Sequence, residues 1–454
     1  MIIVAQSSAA LKRFLAQSGL RCMARQMLLR MVLAFIMHRG RMSCSAAAGS
    51  IATEPIHRGQ LTRFLARPRW QRHDFNSPLR QALLARETRR GRFIFIVDAT
   101  LVSQAGLKTQ NTYSTGNRGR HPAQGRRYNK RKIVYKKVHS FTFGLLITPS
   151  GIRIPMQTPH YTQEYCQAHG LKHRTTAEAA AEMIRTLPLP PEAQVVVIGD
   201  TAYESQVVRE ACEQRGYLWI FPANAERVYQ GPRGQRPKLR ARLKDWSQLP
   251  HKTIRLRASS GRYAQQRRLS RWRIGPKTKT RVYYAYQEKR EVRNVGCVQL
   301  VFSTTKPNLV QATADDVKIL LTNALQMPVT EVLELYSLRW QIELFFKELK
   351  STLGFAQYRF QDFRATRAWV EMAITTVLFL EYERIRHLQD RRLSQETRRW
   401  WEMQRLHGLC HAYRQQCAAA ELRYLADRLQ TASGITRLKR QLSAAVPAEY
   451  RAAS

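Results

Sequence analysis

QVVVIGDTAY, residues 194–203, places four consecutive β-branched residues, Val195 to Ile198, ahead of Gly199 and Asp200. An apolar run without alternation reads as a strand buried on both faces. A carboxylate that closes such a strand is delivered to the carboxyl edge of a sheet, where the sites of α/β proteins lie. FIFIVDAT, residues 93–100, has the same build and ends its apolar run at Asp98. Either Asp alone is as well explained by capping the next turn. Two in the same arrangement point to chemistry.

Working outward from these runs, strands and helices alternate. KVHSFTFGLLITPSGIRIP (137–155) predicts a hairpin turning at Pro149, Ser150 and Gly151. TTAEAAAEMIRTL (175–187) predicts a Thr-capped helix, and ESQVVREACEQRG (204–216) a helix that stops at Gly216. YLWIFPAN (217–224) is a further strand. The alternation predicts a mixed α/β core. Residues 1–90 read as helical, with Leu11 and Leu15, then Met23, Met27 and Met31, at helical spacing. Between 226 and 314 the texture becomes β-rich: KTIRLRAS, RLSRWRIG, TRVYYAYQE and GCVQLVFST alternate as antiparallel strands do. DDVKILLTNA (315–324) returns to a core strand, with Asp315 and Asp316 making the turn before it. One helix is expected over Glu331 to Leu353 and another over Ala365 to about His387, before a basic helical tail. The expected organisation is therefore a helical unit (1–90), a first core segment (91–225), a β-rich insertion (226–314), a second core segment (315–390) and a helical C-terminal region (391–454).

Charge narrows the partner. The chain has 454 residues, with 76 Lys and Arg against 32 Asp and Glu, a net charge of +44. Such a charge strains a compact protein unless a polyanion neutralises it. Nucleic acid does so through phosphate contacts that release counterions. From Ala99 to Gln163 no acidic residue occurs, while Arg118, Arg120, Arg126, Arg127, Lys130, Arg131, Lys132, Lys136 and Lys137 are interleaved with Tyr113, Tyr128 and Tyr135. Seven cysteines without a pattern exclude a secreted disulfide scaffold. The longest apolar run, Met27 to Met37, reaches about half a bilayer span and contains Arg30, which argues against a membrane span. The opening residues do not read as a secretory leader. A cytoplasmic protein of a reducing compartment is expected.

In so basic a chain, an acid at a special place carries information. YSLRWQIELFFKELK spans 336–350. With Tyr336 at zero on a helical wheel, Arg339 falls at about 300°, Glu343 at about 340°, Lys347 at about 20° and Lys350 at about 320°. Leu338, Ile342, Phe345 and Leu349 fall at roughly 180–240° and form the buried face, while Glu334 and Glu348 lie off the stripe. The plainer reading is an amphipathic helix with an i,i+4 Glu343–Lys347 pair. The chemical reading is one carboxylate flanked by cations, to be joined with Asp98 and Asp200. Three carboxylates beside many cations suit Mg²⁺ or Mn²⁺ held between protein oxygens and substrate phosphates. Two such ions can activate an attacking oxygen and stabilise a leaving one.

These residues resemble a known family, the DDE transposases of bacterial insertion-sequence family four. Its signature of Tyr, two residues, Arg, three residues, Glu, six residues, Lys stands here as Tyr336, Arg339, Glu343 and Lys350. LLTN at Leu320 to Asn323, RWQIE, FFKELK, IGDTAY and VDAT also match its style, over roughly Phe93 to Leu380. The resemblance implies a ribonuclease-H-like catalytic core interrupted by the β-rich insertion. It implies Asp98, Asp200 and Glu343 as catalytic ligands of two Mg²⁺ ions, with Mn²⁺ as a substitute. By the same implication Tyr336, Arg339 and Lys350 contact the transposon end, with Lys347 on the same stripe, and an aromatic of the insertion (Trp272, Tyr283 or Tyr284) receives a flipped base. The implied substrate is double-stranded DNA, both transposon ends and target, bound by a homodimer. The implied reaction cuts the ends by water attack and joins the 3′-OH to target DNA. A decayed or purely nucleic-acid-binding protein, or another ribonuclease-H-like nuclease, is the competing reading.

Weaker signals lie elsewhere. Cys166, His169 and His173, with His160, have zinc-like spacing but no second Cys. Cys410 and Cys417 share a helical face and are expected to pack. Trp340 borders the stripe as packing or as a stacking wall.

Overall fold

The computed structural model describes residues 2, 4–38, 40–67, 74–104, 106, 108–117, 134–231, 234–243, 246–257 and 280–445. Strands β1 (Phe93–Gln104), β2 (Tyr113–Asn117), β3 (Val134–Ile147), β4 (Arg153–Pro159), β5 (Val195–Ile198), β6 (Leu218–Pro222), β7 (Lys252–Arg257), β8 (Thr280–Val292), β9 (Gly296–Thr304) and β10 (Lys318–Thr322) belong to one sheet. Its order is β2-β3-β1-β5-β6-β10-β9-β8-β7, with β4 paired to β3. Only β1, β5 and β6 pair in parallel; the other pairings are antiparallel.

Among the described residues, five α-helices precede the sheet: α1 (Ala9–Ala16), α2 (Cys22–Met37), α3 (Cys44–Ala48), α4 (Arg58–Ala66) and α5 (Asn76–Leu84). Helices α6 (Gln163–His169), α7 (Thr176–Arg185) and α8 (Gln206–Gln214) connect the strands, and α9 (Leu239–Arg242) is a single turn. After β10 come α10 (Val329–Ser337), α11 (Trp340–Thr352), α12 (Phe363–Gln389), α13 (Gln395–Glu402), α14 (Leu406–Leu429) and α15 (Ala432–Ala445). Helix α7 starts on the expected Thr: Thr175 and Glu178 form a reciprocal capping box.

The twenty-seven-residue helix α12 is buried along most of its length and organises the helical layer. It packs against α2, α4, α5, α13 and α14 on the helical side, and against β4 of the sheet. Its polar groups are satisfied inside. Asn76 of α5 donates to Glu371 at 2.7 Å and accepts from the Thr375 hydroxyl at 2.9 Å. Glu381 is bonded by Arg153 Nε at 2.8 Å and by Arg384 at 2.8 Å. The N-terminal helices therefore share one core with the second half of the chain.

Two sequence expectations are corrected. Asp98 does not end its strand: β1 runs on to Gln104, and what stops beside Asp98 is the parallel pairing with β5, whose last register is Ile96 with Ile198. The antiparallel partner β3 carries the strand onward, Asp98 facing Phe143. The helix expected over 331–353 is two helices, α10 and α11. At the join Leu338 N–H bonds Leu335 C=O and Arg339 N–H bonds Tyr336 C=O, the tighter i→i+3 pattern. A tight turn of this kind leaves side-chain periodicity almost unchanged, so the pattern does not reveal it. In the expected β-rich segment, β9 pairs with β10 and extends the central sheet outward through β8 and β7. RLSRWRIG, including Trp272, and Arg118 to Lys132 of the basic stretch lie outside the described residues.

Gly144 of β3 sits opposite Val97, and a Cβ there would overlap the ring of Phe95. Gly144→Ala is expected to destabilise the fold by about 1–3 kcal/mol through overpacking. Urea unfolding checks this; an unchanged midpoint would contradict the packing described.

Candidate functional site

Three separate segments bring their carboxylates toward one another. Asp98 leaves β1 where its parallel neighbour ends. Asp200 lies two residues beyond β5, where its Oδ1 accepts from the Ala202 amide at 2.9 Å and caps the short 3₁₀ turn Thr201–Tyr203. Gly199 is needed for this approach: a Cβ would stand 3.0 to 3.1 Å from Phe221, Val97 and Tyr203. Glu343 lies in the first turn of α11. The turn-capping expectation for Asp200 is thus met, and it holds together with the convergence of the acids.

Arg339 stands between two of them. Its guanidinium bonds Glu343 and comes within 3.7 Å of Asp98. The side chains of Asp98, Arg339 and Glu343 are 17%, 19% and 31% exposed, so the group lies at the floor of the surface and not on it. Burial pushes the Asp98 carboxyl up to about 6; Asp200 and Glu343 add repulsion, while the Ala99 amide and Arg339 pull the other way. Burial alone would lower the Arg339 guanidinium, but Tyr336, Glu343 and Asp98 outweigh it and hold its pKa above the ordinary value.

The rest of the stripe is arranged around this pair of charges. The Tyr336 ring is buried, and burial lifts its phenol to about 12. Lys318, at the start of β10, holds its ammonium 4.4 Å from the centre of that ring. Part of Lys318 reaches solvent, yet protein atoms crowd the ammonium; this desolvation, then Arg339 and Arg281, pushes its pKa down to about 8. Lys350 turns back to β1 and donates to the Leu101 carbonyl at 2.9 Å. Lys347 is exposed. Glu348 points to the far side, where it accepts from the Leu406 amide at 3.3 Å. Trp340 is half-buried beside the stripe with its indole N–H unpaired.

Two residues of this neighbourhood escape a reading of the sequence. Lys318 is one; its signal is a single cation heading the apolar strand KILLT. Tyr203 is the other. Its ring is buried and its hydroxyl lacks a hydrogen-bond partner among the described atoms. Burial, then the negative charge of Asp98, raises its phenol above the ordinary range. Tyr283 and Tyr284 lie half-buried on β8, with Arg281 5.3 Å from the Tyr283 ring centre. Cys410 and Cys417 are buried, as expected of packing residues. His169 stacks on Tyr165 and bonds its carbonyl, His173 meets the edge of His160, and Cys166 is buried. These do not form a zinc site.

Among the described residues, no group of three or more His, Cys, Asp or Glu is close enough to hold one metal ion. At the three carboxylates the reason is visible, since Arg339 takes the place between Asp98 and Glu343. The donor chemistry itself fits a hard cation. All three groups are carboxylates with oxygen donors, and burial, with repulsion from Asp200 and Glu343, holds Asp98 above its usual pKa, a penalty that a bound cation would offset.

Residues 163–379 match the family model described as a transposase DDE domain. The matched stretch includes Asp200 and Glu343 and begins after Asp98. It supports a transposase of the DDE type. No curated protein matches the chain. No helix among the described residues is long and apolar enough to cross a membrane.

The raised Asp98 pKa carries a sign. A carboxyl raised from 3.8 to about 6 binds its proton more tightly in the folded state. Its contribution to stability is therefore greatest at low pH and is lost as pH rises through about 6. In metal-free buffer, Asp98→Asn is expected to stabilise the fold by about 1–3 kcal/mol at pH 8. That advantage should vanish near pH 4. Urea midpoints of both proteins across this range test it, and parallel curves would show that Asp98 is not strained.

Proposed function

We propose that the chain is a DNA transposase that binds terminal inverted repeats, cuts transposon ends and joins the 3′-OH ends to target DNA. The observation that carries the reading is that Asp98 feels the charges of both Asp200 and Glu343, with Arg339 between Asp98 and Glu343, two of these acids falling within the match to a transposase DDE domain. Asp98, Asp200 and Glu343 are the catalytic residues in this reading and would hold two Mg²⁺ ions, or Mn²⁺. Bound there, the metal would supply positive charge to an attacking oxygen and to a leaving oxygen.

The chain's own residues have defined tasks. Arg339 compensates the carboxylates, and its planar fork also suits a bidentate phosphate contact. Tyr336 anchors the Lys318 ammonium beside the acids. Lys318 offers a point charge to a phosphate oxygen, and its lowered pKa eases release of a proton near neutrality. Lys350 ties α11 to β1, so that Glu343 and Asp98 keep their distance. Lys347 is free to meet the DNA backbone from the exposed face of the same helix. The ribonuclease-H-like core would then be residues 91–225 with 315–390, and 226–314 the insertion that extends its sheet. Residues 1–90 would recognise the ends and 391–454 would make the dimer contact, so that each of two subunits holds one end.

The decisive assay is cleavage of labelled duplex carrying the flanking terminal repeats in Mg²⁺, comparing wild type with Glu343→Gln. Cleavage at the repeat ends should fall by about a thousandfold or more in the variant, while DNA binding is retained. Binding by both proteins and cleavage by neither, in Mg²⁺ or Mn²⁺, would leave a purely nucleic-acid-binding protein. Cleavage that persists in the variant would remove Glu343 from the site.

A further inference from the structure

Away from the carboxylates, a cavity of about 330 Å³ opens where α2, α11 and α14 converge. Its lining includes His38 from the end of α2, Ser351 and Thr352 from the end of α11, and His407, His411 and Arg414 from the first turns of α14. No carboxylate lines it. His407 and His411 are exposed, one helical turn apart, and so share one face. Arg414 gives its Nε hydrogen to the Ile36 carbonyl at 2.6 Å and an Nη2 hydrogen to the His38 carbonyl at 3.5 Å. Those bonds fix the guanidinium at the wall without neutralising it, and Arg414 forms no ion pair among the described residues. Glu348 feels the charge of His407 but lines a separate recess with Arg153 and Arg405.

We infer that this cavity is a second phosphate seat, holding a backbone phosphodiester of bound DNA between His407, His411 and the fixed Arg414. Three properties support that ligand over others. The wall offers N–H and O–H donors and a permanent positive charge, which is the complement of an anionic oxygen cluster. A metal ion does not suit it, because His38, His407 and His411, although they line one cavity, do not form a group close enough to hold one. The lining also includes Ala34, Phe35, Met42 and Leu353, but an apolar ligand filling the cavity would leave the imidazoles, the hydroxyls and the guanidinium unsatisfied.

The position is also right for DNA. Glu343 and Thr352 stand at opposite ends of α11, nine residues apart. At about 1.5 Å per residue that is roughly 14 Å along the helix, or about four steps of a duplex at ~3.4 Å each. A duplex reacting at the front of α11 carries further phosphates past its rear. Phosphate contacts of this kind fix register and carry no sequence information. The seat rests on the transposase reading for its partner, but it acts in binding and not in the chemical step.

The test is equilibrium binding of the full chain to a terminal-repeat duplex and to a random duplex over a range of salt. The variants are His407→Glu with His411→Glu, and His407→Gln with His411→Gln. Both side chains are exposed, so the fold should persist, and melting curves check this. The Glu pair is expected to weaken both duplexes by about tenfold and to make the slope of log affinity against log salt shallower by about one, the loss of one phosphate contact. The Gln pair should give a smaller change in the same direction. Arg428→Glu, near the far end of α14, should shift affinity less than the Glu pair. If both double variants keep wild-type affinity and slope with unchanged melting, the cavity seats no phosphate, although wild-type cleavage of transposon ends would leave the transposase reading intact. A loss confined to the terminal repeat would overturn the phosphate assignment in favour of base reading. If the wild type neither binds nor cleaves ends, both readings fall together.

Discussion

Carboxylates cannot be crowded without a counter-charge, and Arg339 supplies it from within. One guanidinium bonds Glu343 and reaches Asp98, joining α11 to β1 of the sheet. Its effect is incomplete, because Asp98 still titrates at about 6. Burial and the mutual repulsion of the acids thus leave a local electrostatic penalty at this place. In a chain of net charge +44, acids placed within one another's electrostatic reach stand out. On the proposed reading a polyanionic substrate would be attracted by the whole molecule and brought to a place where a cation would offset that penalty.

The geometry that allows the crowding is a change in sheet pairing. β1 pairs in parallel with β5 only as far as Ile96, while its antiparallel pairing with β3 runs to Gln104. The sheet therefore opens beside Asp98, and Asp200 enters the gap by the turn that follows β5. Gly199 keeps that turn close to Val97 and Phe221, where any larger residue would push it away. Tyr203 then closes the floor beneath both acids. The two-helix arrangement of α10 and α11 serves the same end. The tight turn at Leu338 and Arg339 buries Tyr336 against Lys318 and leaves Arg339 and Glu343 at the beginning of a fresh helix.

How much of this was legible beforehand depended on whether a residue declares itself through its neighbours in sequence. Val195 to Ile198 and Phe93 to Val97 announce buried strands, and the acids behind them stand out in so basic a chain. Tyr336, Arg339 and Glu343 announce themselves by spacing, and the stripe survives the helix break because an i→i+3 turn rotates the side chains little. Lys318 could not be found this way. Its role comes from a cross-sheet position next to a ring eighteen residues later in the chain, and nothing adjacent marks it. Nor could the sequence tell an inserted β-domain from an extended sheet, since alternation predicts strands but not their partners. The pairing of β9 with β10 decides that. The spaced Cys and His residues show the converse error: Cys166, His169 and His173 have a ligand's spacing, but burial and ring stacking spend them on packing.

In the proposed reading the N-terminal helices recognise the DNA ends, and their packing decides how that recognition would be coupled to chemistry. A unit tethered by a linker could swing independently of the core. Here α2, α4 and α5 pack on α12, and Asn76 bonds into the middle of that helix. The core they share is continuous with the sheet that holds Asp98. Arg414 of α14 also clamps the carbonyls at the end of α2. Contacts of this kind transmit a load, because packed interiors shift as units and do not deform smoothly. DNA held by residues 1–90 would therefore be held in a fixed relation to α11 and its carboxylates. Positioning of the reacting phosphate would follow from binding of the end, with no hinge between them to be ordered first.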